Sequence, residues 1–101
     1  MIYKKFIIID DDDIFLRINE SIIRKEFGEA EVHLFKFSKE ALEFIKSGRI
    51  SDSVIMIDLR MPEISGFEIL TEIENLPSDH LVNCKVFVLT SSLDDRDRQK
   101  V

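Results

Sequence analysis

Short apolar strands alternating with amphipathic helices, each strand cut off by a polar residue, predict an α/β domain with a doubly wound parallel sheet. The strand signals are Phe6-Ile7-Ile8-Ile9, Val54-Ile55-Met56-Ile57 and Val86-Phe87-Val88-Leu89. Continuous β-branched and aromatic runs suit strands buried on both faces, the environment inside parallel sheets. Strands alternating with helices imply right-handed crossovers and helices on both faces. At 101 residues the chain has room for one domain, spanning 1–101.

Each element has its own signal. The first strand, 5–9, stops at Asp10. Ile14, Phe15, Ile18, Ile22, Ile23 and Phe27 then recur at helical spacing as one stripe. Asp12 or Asp13 is placed to cap that helix, an acidic first turn suits its dipole, and Gly28 is placed to end it. Residues 31–37 mix polar and apolar positions, as a wetter strand at a sheet edge does. Ser38 with Ala41, Leu42 and Ile45 reads as a capped helix ending at Gly48. The strand 54–57 ends at Asp58. A loop with Pro62 and Gly66 leads to a helix carrying Phe67, Ile69, Leu70 and Ile73. The last strand, 86–89, ends at Thr90, and Asp94 with Asp95 opens a fourth helix.

Composition excludes several classes. Apolar residues make up 45% and charged residues 34%, which is globular and not disordered. A net charge of −6 argues against direct nucleic-acid binding, which needs basic surface. No apolar run reaches the roughly 18 residues that span a membrane, and the apolar start carries Lys4 and Lys5, unlike a signal peptide. The single Cys84 has no internal disulfide partner, which suits a reducing cytoplasm, and it reads as a small apolar residue near a strand. His33 and His80 read as surface or strand residues, and no His/Cys cluster has zinc spacing.

The chemistry gathers at the strand ends. In an open α/β sheet the carboxyl ends of the strands share one edge, and ligands bind there. Asp10 and Asp11, Asp58, and Thr90 therefore converge from distant parts of the sequence. Two carboxylates about 4 Å apart repel by roughly 4 kcal/mol at an effective dielectric near 20. Such a cluster must hold a proton or attract a cation, and an all-oxygen set near a phosphate favours Mg²⁺ over zinc. The competing explanation makes Asp10 to Asp13 a solvated turn and helix cap; Asp58, which also ends a buried strand, weighs against it.

Three segments carry a family resemblance. Ile7-Ile-Ile-Asp-Asp-Asp12 resembles the acidic pair after the first strand of response-regulator receiver domains. Val54-Ile-Met-Ile-Asp-Leu-Arg-Met-Pro-Glu-Ile-Ser-Gly66 is similar to that family's phosphorylation segment, where an aspartate is followed by Met-Pro and then glycine. Phe87-Val-Leu-Thr-Ser-Ser92 resembles its fourth strand and the threonine or serine beyond it. The resemblance covers the whole chain and implies the flavodoxin-like strand order 2-1-3-4, with a fifth strand to follow. It implies that Asp58 is the phosphoacceptor. Asp11, Asp58 and the backbone carbonyl of Arg60 would bind Mg²⁺ directly, and Asp10 would act through a metal-bound water. Thr90 would hydrogen-bond a phosphoryl oxygen, small Ser91 would leave the phosphoryl group room, and exposed Arg60 would modulate hydrolysis. The implied partner is a sensor histidine kinase or a histidine phosphotransfer protein, in the cytoplasm, and the implied role is a signalling switch.

One family feature is not met. Receivers carry a lysine after a fifth strand, and the sequence ends at Val101, before that strand and the last helix. Neither Lys85 nor Lys100 stands at the lysine's place. An edge strand left without its neighbour predicts self-association. Two other functions compete. A receiver fold used only for binding would take up no phosphoryl group. A Mg²⁺-dependent phosphohydrolase of the haloacid dehalogenase kind would use Asp10 and Asp12 as its Asp-x-Asp pair, but Ile14 stands where Thr or Val is expected, and Asp58 with its Met-Pro would be unexplained. Turnover of a phosphomonoester separates the enzyme from a domain that takes one phosphoryl group.

Overall fold

The computed structural model describes residues 3–47 and 50–89. Among them the chain runs β1 (Lys5–Ile9), α1 (Asp13–Glu26), β2 (Glu31–Phe35), α2 (Ser38–Lys46), β3 (Ser53–Asp58), α3 (Gly66–Glu74), a 3₁₀ turn (Ser78–Leu81) and β4 (Lys85–Leu89). The four strands form one parallel sheet in the order β2-β1-β3-β4. This is the expected doubly wound architecture. Gly48, expected to end the second helix, and Thr90, Ser91, Asp94 and Asp95 lie outside the described residues.

Side chains alternate across the pleat, so each buried strand feeds two cores. Ile7, Ile9, Ile55 and Ile57 meet Ala41 and Ile45 of α2, Ile69 and Ile73 of α3, and Met61. On the other face Phe6, Ile8 and Val54 meet Leu16 and Ile23 of α1, with Ala30. The register aligns Ile9 with Phe35 and with Ile57, and Asp58 with Leu89. The acidic ends of β1 and β3 are thereby neighbours at one edge of the sheet.

Three elements depart from the sequence reading. Helix α1 seats itself through Leu16 and Ile23, seven residues and two turns apart, while Ile14, Ile18 and Ile22 stay exposed. Six apolar residues spread over more than one flank, and the sheet uses only part of that arc. Phe27 is the C-cap of α1 and not its last turn. Strand β2 stops at Phe35, two residues early, where its partner β1 ends at Ile9; Lys36 Nζ then reaches Asp13 Oδ2 at 2.8 Å, and Phe37 becomes the N-cap of α2. Strand β4 is not buried on both faces: Phe87 and Val88 are exposed, whereas Val86 packs on the α2–α3 core. Cys84, just before β4, is half-buried with its Sγ 3.9 Å from Ser53 Oγ, and burial pushes its thiol pKa up.

Candidate functional site

Two adjacent strands place the acids. Strand β1 delivers Asp10 at its end, where the Asp10 N–H donates to the Phe35 carbonyl of β2 (3.0 Å) and anchors the turn. Asp12 then caps α1, its Oδ1 accepting from Ile14 N (2.9 Å) and Phe15 N (3.3 Å). A short turn ending in a capped helix leaves Asp11 at the surface, beside the cleft. Strand β3 ends on Asp58, one strand away from Asp10.

Asp10, Asp11 and Asp58 converge. One carboxylate oxygen from each lies within 4.8 Å of the others, with Asp10 and Asp58 buried and Asp11 exposed. Asp10 Oδ1 accepts the Asp12 N–H at 2.9 Å, while its Oδ2 is buried without a hydrogen-bond partner. Burial is the chief reason its pKa is pushed from 3.8 up to about 6; the Asp12 N–H opposes the rise, and the charges of Asp58, Asp11 and Asp12 add to it. A buried carboxylate oxygen with nothing to accept from is costly unless protonated or bound to a cation. Three oxygens, two of them buried, fit a small hard divalent ion such as Mg²⁺. Asp12, the second acid of the rival Asp-x-Asp reading, spends its carboxylate on the helix cap.

The loop after Asp58 is braced from below. Asp58 Oδ1 accepts the Arg60 N–H at 3.1 Å, and the exposed Arg60 sits at the rim. Met61 is buried in the larger core, so the Met-Pro pair does pack as well as turn the chain. Ser38, read from the sequence as a helix cap, does not cap α2, whose N-cap is Phe37 and has no side-chain bond. The buried Ser38 hydroxyl instead donates to Pro62 O (3.1 Å) and accepts from Ile64 N (3.2 Å). It pins the loop across to α2. The Lys36–Asp13 ion pair ties the β2 end to the α1 start in the same way. Neither contact has a signal in sequence spacing, because each joins separate elements.

Gly66 is the third support. A Cβ there would collide with the backbone carbonyl oxygen of Asp58 and lie 2.7 Å from Leu59 Cα. The Gly66 N–H donates to Leu59 O at 3.2 Å. Helix α3 therefore starts against the backbone that carries Asp58, and only glycine allows that approach. Gly66→Ala should destabilise the fold by about 1–3 kcal/mol and displace the 58–60 backbone. Urea denaturation measures the first effect, and amide chemical shifts of Asp58 and Arg60 report the second.

A groove of about 650 Å³ bounded by Tyr3, Lys4, Phe27 and Ala30 lies at the opposite, amino-terminal end of the strands.

Residues 6–101 match the response regulator receiver domain family. The chain belongs to that family. Its relatives place receivers in two settings. It is 32% identical over 76 residues to the probable histidine kinase 6 of Oryza sativa subsp. japonica, covering 75% of this chain and 8% of that protein's length. A response regulator receiver protein from Dyadobacter fermentans superposes with a TM-score of 0.76 at 28% identity, covering 95% of this chain and 75% of that one. The receiver domain of the histidine kinase CKI1 from Arabidopsis thaliana, in complex with Mg²⁺ and BeF₃⁻, shares the fold with a TM-score of 0.75 at 21% identity, covering 96% and 72%. The receiver domain described here is thus a signalling domain of the two-component type. None of its described helices is long and apolar enough to cross a membrane.

Proposed function

We propose that this receiver domain takes a phosphoryl group onto Asp58 from a phosphohistidine donor, with Mg²⁺ held by Asp10, Asp11, Asp58 and the Arg60 carbonyl. The observation that carries it is the convergence of three carboxylates at the ends of β1 and β3, one with a buried oxygen lacking a partner. The Mg²⁺-bound relative supports the choice of ion. Bound there, Mg²⁺ would neutralise charge on the phosphoryl oxygens.

The chain's own residues do the positioning. An Asp58 carboxylate oxygen attacks phosphorus in line; its P–O bond forms as the P–N bond to the donor imidazole breaks, and the imidazole keeps the bonding pair. The Arg60 N–H holds Asp58 Oδ1, so the carboxylate is oriented before attack. Later, water attacks the same phosphorus and returns Asp58 to a carboxylate. Thr90 would hydrogen-bond a phosphoryl oxygen, Ser91 would leave it space, and Arg60 would tune access of that water. The partner is a sensor histidine kinase or histidine phosphotransfer protein, and the setting is the cytoplasm.

Incubation with Mg²⁺ and a phosphohistidine or small acyl-phosphate donor tests the proposal. The expected product is one base-labile phosphoryl group per chain, absent when Mg²⁺ is chelated. A chain that takes up none is a binding module, and sustained release of phosphate from many phosphomonoesters would mark a hydrolase.

A further inference from the structure

One buried hydroxyl grips two backbone groups of the loop that follows Asp58. Ser38, the first residue of α2, is 2% exposed. Its Oγ donates to the Pro62 carbonyl (3.1 Å) and accepts the Ile64 N–H (3.2 Å), so its proton and a lone pair are both in use. The residue between those two groups is Glu63. Its φ is 66°, in the left-handed region that a Cβ disfavours. Its own side chain is exposed. Ser38 therefore holds the backbone on each side of a residue whose conformation glycine would adopt more readily.

The conformation of Glu63 bears on Arg60. The loop is closed where the Gly66 N–H meets the Leu59 carbonyl at 3.2 Å. Inside that closure Met61 is anchored in the α2–α3 core. Proline fixes its own φ and restricts the residue before it, so Met61 and Pro62 have little freedom to absorb a change. A rotation at Glu63 must be taken up by the remaining torsions, and those on the Asp58 side belong to Leu59 and Arg60. The Arg60 N–H is bonded to Asp58 Oδ1 at 3.1 Å, and its carbonyl is the backbone ligand assigned above to Mg²⁺. A backbone carbonyl has no side-chain torsion with which to adjust, so the loop alone sets its place.

We propose that Ser38 is a positioning residue for the metal site: by holding Glu63 in its left-handed conformation, its hydroxyl fixes the backbone that offers the Arg60 carbonyl to Mg²⁺. This role rests on the Mg²⁺ site proposed for Asp10, Asp11 and Asp58.

Titration with Mg²⁺ in the absence of any phosphoryl donor, followed through the Arg60 amide shift, is the test. Ser38→Ala should weaken Mg²⁺ binding by about tenfold, as loss of a group that orients a ligand does. The Ile64 amide should exchange with solvent faster in the same variant. Adding Glu63→Gly to Ser38→Ala should restore most of the affinity, because glycine keeps a left-handed φ without a brace, while the Ile64 amide stays fast. Adding Glu63→Gln instead should restore none, since it removes the charge and keeps the Cβ. Ile45→Val trims the core side of the same helix and should leave the affinity unchanged, which separates positioning from a general loosening of α2. Circular dichroism checks that each variant folds. Ser38→Cys, a weaker hydrogen-bonding group of similar size, should lose affinity in the same direction and replaces Ser38→Ala if that variant does not fold. Binding by the Ser38 variants equal to that of the parent would overturn the proposal. So would an equal loss in Ile45→Val, failure of Glu63→Gly to restore binding, or rescue by Glu63→Gln as complete as that by Glu63→Gly. A parent chain that binds no Mg²⁺ would overturn the proposed function and this role together, whereas a parent that binds it beside unaffected Ser38 variants would overturn this role alone.

Discussion

Asp58→Asn should yield a folded protein that carries no phosphoryl group under conditions that load the parent chain. A neutral amide is not a nucleophile toward phosphorus, so the loss is complete and not partial. The fold should survive, for two reasons. Asparagine keeps an oxygen at the position that accepts the Arg60 N–H. It also removes one of the charges gathered within 4.8 Å, where a pair of carboxylates repels by about 3.5 kcal/mol at an effective dielectric near 20. The metal-free variant should therefore melt at or above the temperature of the parent. Radiolabel incorporation and a thermal melt on the same samples check both halves. Label retained by the folded variant would move the acceptor elsewhere.

Asp11→Ala should lower Mg²⁺ affinity by about 100-fold and Asp10→Ala by about tenfold, the range typical of losing a residue that acts through a bound water. Titration with Mg²⁺ separates them; equal losses would contradict the assigned roles. Asp10 also predicts a pH signature without metal. Its carboxyl, at about 6 in the fold against 3.8 ordinarily, binds its proton more tightly in the folded state. Stability is then fully present below about pH 4, falls as pH rises towards about 6, and is flat beyond. The loss is at most about 3 kcal/mol, smaller where water in the cleft screens the charge. Urea denaturation in a chelator should show that slope, and Asp10→Asn should flatten it. Saturating Mg²⁺ should stabilise the parent most above about pH 6, where the Asp10 carboxyl has lost its proton.

How legible this was depends on how local each signal is. β1 and β3 were readable because continuous apolar runs ending in an acid admit few alternatives, and the convergence of Asp10, Asp11 and Asp58 follows from sheet topology alone. Helix α1 was readable in extent and misread in orientation. Ile14, Ile18 and Ile22 obey the helical period as well as Leu16 and Ile23 do, and only the packed sheet decides which flank is buried. Strand β4 has the composition of a central strand, yet half of it faces solvent. Ser38, the Lys36–Asp13 pair and the close approach of Gly66 to the Asp58 backbone were out of reach, because each joins residues that the fold alone makes neighbours.

The central claim is that one carboxylate, that of Asp58, receives the phosphoryl group. Reduction by borohydride tests it at the atom concerned, since hydride cleaves an acyl phosphate and leaves the side chain as an alcohol. After loading with Mg²⁺ and a phosphohistidine donor, then reduction and proteolysis, peptide mass spectrometry should find homoserine at position 58 and unmodified aspartate at 10, 11, 12 and 13. Homoserine at any of those four positions, or at none in a chain shown to carry the label, would contradict the account.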